Sequence, residues 1–188
     1  MRREPVLGLL RSHAARPLDA NEAAMAAQII AFVEEHADCF ERSCLPGHLT
    51  GSAWVVDPAR ERVVLTHHRK LDRWLQLGGH ADGETDLLAV ALREAREESG
   101  LTRLRPMDTA PFDVDAHRIP ARGEVPEHWH FDLRFLVEAD PAEPLVVSDE
   151  SHAVAWVALA EIACLSPRES MLRMVRKTIR GPAENARE

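Results

Sequence analysis

The alternation of apolar and polar residues predicts a helical segment followed by a domain of mixed strands and helices. From Asp19 to His36 the chain is rich in alanine, and its apolar residues recur at the spacing of a helix. The Leu45-Pro46-Gly47 run then interrupts regular structure. We therefore divide the chain into an N-terminal helical extension, residues 1–45, and a main domain, residues 46–188.

Beyond this boundary, short β-rich runs are mixed with helical segments. They do not follow a strict strand–helix–strand alternation, so we expect an α+β fold with a mixed-sheet sandwich. One helix is predicted to begin at a cap on Thr85 or Asp86 and to end near Ser99, and the other two are Glu161–Leu165 and Glu169–Arg180. The predicted strands are Leu49–Val56, Arg62–Thr66, Trp74–Leu77, Phe112–Ile119, His128–Val137 and Val154–Ala158.

Charge and cysteine content exclude several classes of protein. The chain has 23 Lys+Arg against 31 Asp+Glu, a net charge of −8, which argues against a nucleic-acid partner. The cysteines Cys39, Cys44 and Cys164 are odd in number and lack paired spacing, so we expect reduced thiols in a cytoplasmic protein. No apolar run is long enough for a membrane span. A small phosphorylated ligand remains compatible with this charge.

Three glutamates carry the most informative chemistry. Glu94, Glu97 and Glu98 lie three and four residues apart, so a helix gathers their carboxylates on one face. The spacing alone fits either a solvated acidic surface or a site for a hard divalent cation such as Mg²⁺. The glycine pair Gly78-Gly79 precedes this helix and permits a close backbone approach to an ion or a phosphate.

The segment around this helix resembles the signature of the Nudix family, G-x5-E-x7-R-E-U-x-E-E-x-G-U, in which U is bulky and aliphatic. One position departs from it: Thr85 stands where the signature has its first glutamate, with the acids Glu84 and Asp86 on either side. The resemblance implies the Nudix α/β/α sandwich with a mixed central sheet. The matching residues are Gly79, Arg93, Glu94, Glu97, Glu98, Gly100 and Leu101.

Carried over to this chain, the resemblance implies a metal centre and a set of catalytic residues. The implied ligands of Mg²⁺ or Mn²⁺ are Glu94, Glu97, Glu98 and the Gly78 carbonyl. Arg93 is implied to orient these acids, and Glu98 or a nearby carboxylate to help generate hydroxide. A late-loop glutamate serves as ligand or base in many relatives of this fold. Here that position is Glu150, with Asp149 as its substitute, unless both are ordinary loop acids. The catalytic candidates are therefore Glu98, Glu97, Arg93 and Glu150.

Histidines and arginines supply candidates for substrate binding. If Phe112–Ile119 and His128–Val137 pair as a hairpin, one polar face collects histidines and aspartates. That face either lines a cleft, holds a second, softer metal, or lies on the solvent side of an antiparallel sheet. The substrate-binding candidates are Arg69, Arg73, His80, His128 and His130.

The leading function is Mg²⁺-dependent hydrolysis of a nucleoside diphosphate derivative by water attack on phosphorus. Two alternatives stay open. An isomerase like the isopentenyl diphosphate isomerases shares a histidine after a glycine, here His80. A catalytically silent nucleotide sensor is the other alternative, for which Thr85 is the hint. We expect a small-molecule diphosphate as the partner, no membrane, and a homodimer.

Overall fold

Two helices precede the strands, of which the apolar pattern predicted the second, and the later helices are interspersed among the strands without strict alternation. The computed structural model describes residues 2–16 and 18–180. Met1 and Pro17 of the predicted N-terminal extension and residues 181–188 of the predicted main domain lie outside the described residues. A single 3₁₀ turn, Leu159–Glu161, follows the last strand. The helices are α1 (Glu4–Ala14), α2 (Ala20–Glu35), α3 (Leu87–Ser99), α4 (Ile162–Leu165) and α5 (Glu169–Arg180), and the strands are β1 (Gly47–Val56), β2 (Arg62–His68), β3 (Arg73–Leu75), β4 (Leu77–His80), β5 (Arg105–Pro106), β6 (Asp113–Ile119), β7 (His128–Glu138) and β8 (Ser151–Ala158).

The strands form one mixed sheet of eight strands, which confirms the predicted fold class. β1 and β7 run parallel at its centre, and the path continues in the order β3-β2-β1-β7-β5. The other three strands pair antiparallel to this path, β4 with β1, β6 with β7, and β8 with β2. A parallel central pair needs a long crossover, and α3 lies within it.

One predicted strand was wrong in its extent. The run Trp74–Leu77 is divided between β3 and β4 at Gln76, because its two ends pair with different neighbours. Leu75 pairs with Thr66 of β2, whereas Leu77 pairs with Ala53 of β1. The chain therefore changes its partner strand here, and β4 delivers Gly78 and Gly79 to the centre of the sheet.

The two faces of the sheet differ in polarity. On one face, buried apolar residues of β1 and β7 pack against α2 and α3 in a continuous core. Phe32 of α2 stacks on Phe131 of β7 with ring centroids 4.2 Å apart. At Gly51 of β1 an added Cβ would lie 2.5 Å from the Leu87 carbonyl oxygen, so α3 packs directly on the strand. Residues of the opposite parity lie on the other face, which is polar where β1 begins, at His48 and Thr50, and apolar where β1 ends, at Trp54 and Val56.

The N-terminal extension packs onto this core. Val6 and Leu10 of α1 are buried in the same hydrophobic cluster as β1 and β7. Asp19 caps α2, because its side chain accepts the backbone N–H of Glu22 at 2.8 Å. His13 of α1 and Glu22 of α2 form a buried contact of 2.8 Å. The division of the chain at residues 45 and 46 stays a prediction.

Helix α5 covers one end of the polar face. Trp54 Nε1 donates to Thr178 Oγ1 at 2.9 Å, and Arg173 donates to Asp113 at 2.8 and 2.9 Å. This cover protects the end of the face where β1 finishes. The histidines at the other end, where β1 and β7 begin, are therefore the part of this face left for a ligand.

The cysteines form no disulfide in this structure. Cys39 and Cys44 are buried, Cys164 is exposed, and all three are free. Within residues 2–16 and 18–180, no helix combines the length and the apolar character that crossing a membrane requires.

Candidate active site

The loop and helix that carry the glutamates are held by their own backbone contacts. Asp86 caps α3 and accepts the N–H groups of Leu88 and Ala89, each at 3.1 Å. Glu84 Oε1 accepts the N–H groups of Thr85 and Asp86 at 2.6 and 3.0 Å. These two acids flank Thr85 and stabilise the turn that the missing signature glutamate would have occupied. At the other end, the chain leaves the helix in a left-handed conformation at Gly100 (φ 75°).

Glu98 is the buried acid of the site. Its exposed fraction is 7%, and its Oε2 accepts the N–H of Gly78 at 2.8 Å. Burial raises the pKa of Glu98 to about 8; the Gly78 hydrogen bond opposes this, and the charges of Glu94 and Glu150 add to it. Among the described residues, no hydrogen bond reaches its Oε1, which leaves that oxygen for a ligand.

Glu94 lies against the backbone of β4. A Cβ added at Gly79 would lie 2.4 Å from the Glu94 carboxyl carbon and 2.5 and 2.7 Å from its oxygens, so a side chain there would displace this carboxylate. Burial raises the pKa of Glu94, and the adjacent Arg93 opposes the shift. The first glycine of the signature is thus explained by the carboxylate packed on it.

Arg93 connects the acids to the strand. Its Nη1 lies 2.5 Å from Glu94 Oε1 and 3.5 Å from Glu97 Oε2, and its Nη2 donates to the His80 carbonyl at 3.2 Å. Within residues 2–16 and 18–180, Arg93 is the single cation in ion-pair contact with Glu94 or Glu97. Glu97 is exposed, at the open side of the group.

Glu150 approaches the same acids from the loop before β8. It is exposed, and its carbonyl accepts the N–H of Arg69 at 2.9 Å. Its charge contributes to the raised pKa of both Glu94 and Glu98, so it acts on the site from nearby.

These carboxylates fit a hard divalent cation. Glu94, Glu97, Glu98 and Glu150 place up to four negative charges around β4, and Arg93 forms ion pairs with two of them. Mg²⁺ and Mn²⁺ prefer oxygen ligands, and a bound cation would relieve the repulsion between these carboxylates. The backbone N–H of Gly78 already donates to Glu98, and the Gly78 carbonyl lies on the same strand, β4.

The predicted polar face of the β6–β7 hairpin is present, but much of it does not face solvent. Asp115 lies opposite Asp132 and His117 opposite His130. The aspartates are buried around Arg134, which donates to Asp132 at 2.8 Å and to Asp115 at 2.9 Å. The solvent-side interpretation is therefore wrong for this half of the face, because a buried guanidinium compensates its acids.

The substrate-binding candidates divide into two groups. His80, His128 and His130 converge, and their rings lie within about 5 Å of a fourth ring, that of His48: the centroid distances are 5.0, 5.0 and 4.8 Å. Arg69 instead donates to the Ser151 carbonyl at 3.0 Å and so fixes a loop. Arg73 is exposed on β3.

His48 is the site residue that the sequence interpretation missed. It is buried on β1 directly opposite His130 on β7. Burial, together with the charges of neighbouring histidines, lowers the pKa of His48 to about 4 and that of His130 to about 2. The alternation of His48, Thr50 and Ser52 along β1 was the signal that indicates a polar strand face.

Comparisons with known proteins identify relatives of the main domain. A family model described as NUDIX domain matches residues 48–177. A Nudix-family hydrolase from Clostridium perfringens is 25% identical, with a TM-score of 0.52 over 70% of this chain and 95% of that one. The Ap4A hydrolase of C. elegans (17% identity, TM-score 0.55, 68% and 92% covered) and the dihydroneopterin triphosphate pyrophosphohydrolase of E. coli (16%, 0.54, 71% and 96%) share the fold. No curated protein matches the chain significantly.

Proposed function

The chain belongs to the NUDIX domain family, and on that premise we propose that it is a Mg²⁺-dependent hydrolase of a nucleoside diphosphate derivative. The predicted membership and the predicted Nudix hydrolase class are confirmed. The ion, the bond and the substrate class are our proposal. The bond is the phosphoric anhydride of a diphosphate, and water attacks it at phosphorus.

One observation carries this proposal: the carboxylates of Glu94 and Glu98 lie against Gly78 and Gly79 of β4. Glu98 hydrogen-bonds to Gly78, and Glu94 occupies the space that a side chain at position 79 would need. A solvated acidic helix face has neither contact. The structure supports the metal interpretation because it buries these charges next to a strand instead of exposing them.

We assign Glu94, Glu97, Glu98 and the Gly78 carbonyl as ligands of Mg²⁺, for which Mn²⁺ is the natural substitute. When bound, such a cation lowers the pKa of a coordinated water and neutralises phosphate charge. Nudix hydrolases generally use divalent metal ions, and the oxygen donors of this chain match that requirement.

The protein residues then have separate tasks. Arg93 is a positioning residue, because it holds Glu94 and Glu97 and is itself anchored on the His80 carbonyl. Glu98 and Glu150 are the candidates to accept the proton of the attacking water. Glu98 is fixed by Gly78, whereas Glu150 is exposed in a loop and free to approach a bound substrate.

The substrate is expected to lie across the histidine end of the polar face. His80, His128 and His130 border it, and Arg73 on β3 is available for a phosphate. Arg69 is a weaker candidate, since its guanidinium already binds a carbonyl. The net charge of −8 favours a small ligand over a nucleic acid. A homodimer and a cytoplasmic location stay predictions.

The test is product release from a substrate panel with Mg²⁺ and with EDTA. The panel holds nucleoside triphosphates, nucleotide sugars, ADP-ribose, NADH and isopentenyl diphosphate. The names of two structural relatives add a dinucleoside polyphosphate and a pterin triphosphate. We expect Mg²⁺-dependent cleavage of at least one diphosphate and none in EDTA. Isomerised prenyl diphosphate without phosphate release would replace the hydrolase with the isomerase, and binding without any conversion would replace it with the sensor.

Gly79→Ala is expected to lower kcat by about 10²-fold, because the new Cβ displaces the Glu94 carboxylate by a distance on the order of 1 Å. The measurement is steady-state hydrolysis of the substrate that the panel identifies. Gly8→Ala in α1 is the matched control, since a Cβ there meets nothing within 4 Å. Equal activity of the two variants would show that Glu94 does not need its present position.

A further inference from the structure

Three histidines from two parallel strands bring their ring nitrogens together. One nitrogen each from His48, His128 and His130 lies within 4.8 Å of the others. The register explains this, because His48 of β1 pairs with His130 of β7, and His128 precedes it by two residues on the same face. The group is therefore built by the centre of the sheet and not by a mobile loop.

Several nitrogens of this group have no partner. Both ring nitrogens of His48 and the Nε2 of His130 are buried and lack a hydrogen bond within residues 2–16 and 18–180. The exposed fraction of His48 is only 3%. The Cys44 carbonyl raises the pKa of His48, but it does not meet the geometry of a hydrogen bond to either ring nitrogen of His48. A buried polar atom without a partner costs about 1–3 kcal/mol, so it calls for a ligand.

The third histidine is oriented from outside the group. His128 Nδ1 lies 2.9 Å from the Pro126 carbonyl oxygen, and only the nitrogen of this pair can donate. The proton therefore sits on Nδ1, and the lone pair of Nε2 is left for another group. Metal-binding histidines commonly have this arrangement, in which a backbone carbonyl fixes the tautomer and the direction of the ring.

We propose that His48, His128 and His130 bind one divalent transition-metal ion of the Zn²⁺ class, at a site distinct from the carboxylates of α3. Neutral imidazoles suit Zn²⁺ and its neighbours in the transition series, whereas Mg²⁺ selects oxygen donors. Three protein ligands leave a further coordination position, which is the pattern of zinc sites that bind water or substrate.

A fourth histidine, His80, lies beside the proposed ligands. The ring of His80 lies 5.0 Å from that of His48 and 4.9 Å from that of His130, and so borders the group. The His80 carbonyl accepts from Arg93, which holds the glutamates. One residue of β4 thus separates a nitrogen site from an oxygen site, and the two sites sort cations by their donor atoms.

The experiment is a Co²⁺ and Zn²⁺ titration of the purified full chain after chelation and dialysis. A competing chromophoric chelator gives the affinity, and the visible spectrum of Co²⁺ reports nitrogen coordination. We expect one tightly bound equivalent in the wild-type protein. His128→Gln and His130→Gln are each expected to weaken it by more than about 100-fold, since loss even of an orienting partner costs about 10–100-fold. His128 is half-buried, and its variant is therefore expected to keep the fold, which circular dichroism checks.

Two controls separate this site from the proposed magnesium site. Glu98→Gln alters the carboxylates, and His152→Gln removes an exposed histidine outside the group; both are expected to bind Co²⁺ as the wild type does. The proposal is overturned if the wild type binds no equivalent tightly, if folded His128→Gln binds with unchanged affinity, or if Glu98→Gln causes the same loss. These readouts need no substrate turnover, so they stand apart from the test of the hydrolase.

Discussion

Glu98→Gln is expected to lower kcat for diphosphate hydrolysis by about 10³-fold while the protein stays folded. Glutamine keeps the shape of the side chain, and its carbonyl can still accept the N–H of Gly78 that Glu98 now binds at 2.8 Å. The substitution removes a negative charge that we propose binds the cation and one of the two carboxylates proposed to accept a proton. Steady-state kinetics with saturating Mg²⁺, on the substrate identified by the panel, measures the effect.

The control for Glu98→Gln is Glu35→Gln, which removes the same charge from an exposed position at the end of α2. Its activity is expected to equal that of the wild type. Glu98→Gln should also unfold at or above the wild-type temperature in EDTA, because a buried carboxylate without a cation carries a desolvation cost. If Glu98→Gln retains more than about a tenth of the wild-type kcat, neither metal binding nor proton transfer depends on this carboxylate.

The loop and helix of the site were predictable because their determinants are local. The spacing of Glu94, Glu97 and Glu98, the cap at Asp86 and the left-handed Gly100 all act within a few residues of one another. The polar face of β6 and β7 was equally predictable, since the side chains of each strand alternate between the two faces of the sheet with a period of two. Local patterns therefore predict the family, the fold class and the clustering of the three glutamates on one helix face.

The remaining parts depend on contacts that are distant in sequence. Helix α1 is held in position because Val6 and Leu10 are buried against the main domain, and no local pattern in the sequence specifies this contact. His48 becomes notable only when the parallel pairing sets it opposite His130, 82 residues later. The sequence predicts that Arg69 is available for a phosphate, but in the fold its guanidinium donates to the Ser151 carbonyl. Side-chain partners of this kind follow from tertiary structure.

Asp113→Ala is expected to destabilise the protein by about 3–5 kcal/mol, the typical cost of breaking a buried ion network. Asp113 is fully buried on β6, and it accepts hydrogen bonds from Arg134 at 3.3 Å, from Arg173 at 2.8 and 2.9 Å, and from Lys177 at 2.8 Å. Removal of this carboxylate leaves the three cations with fewer acids around them and removes the hydrogen bonds that join Arg173 and Lys177 of α5 to the Asp113 side chain. Urea unfolding at pH 7, followed by circular dichroism, measures the loss.

The pH dependence of this difference separates the network from simple loss of packing. Burial alone would raise the pKa of Asp113, but Arg173, Lys177 and Arg134 hold it far below the usual range. A carboxyl whose folded-state pKa is depressed contributes its stability fully above its unfolded pKa, about 4, and loses it as the pH falls. The gap between wild type and Asp113→Ala is therefore expected to narrow below about pH 4. Asp140→Ala, at an exposed pair with Arg103, is the control and should cost less than about 1 kcal/mol. A gap that stays constant down to acid unfolding would mean that Asp113 stabilises the fold by packing and not by its charge.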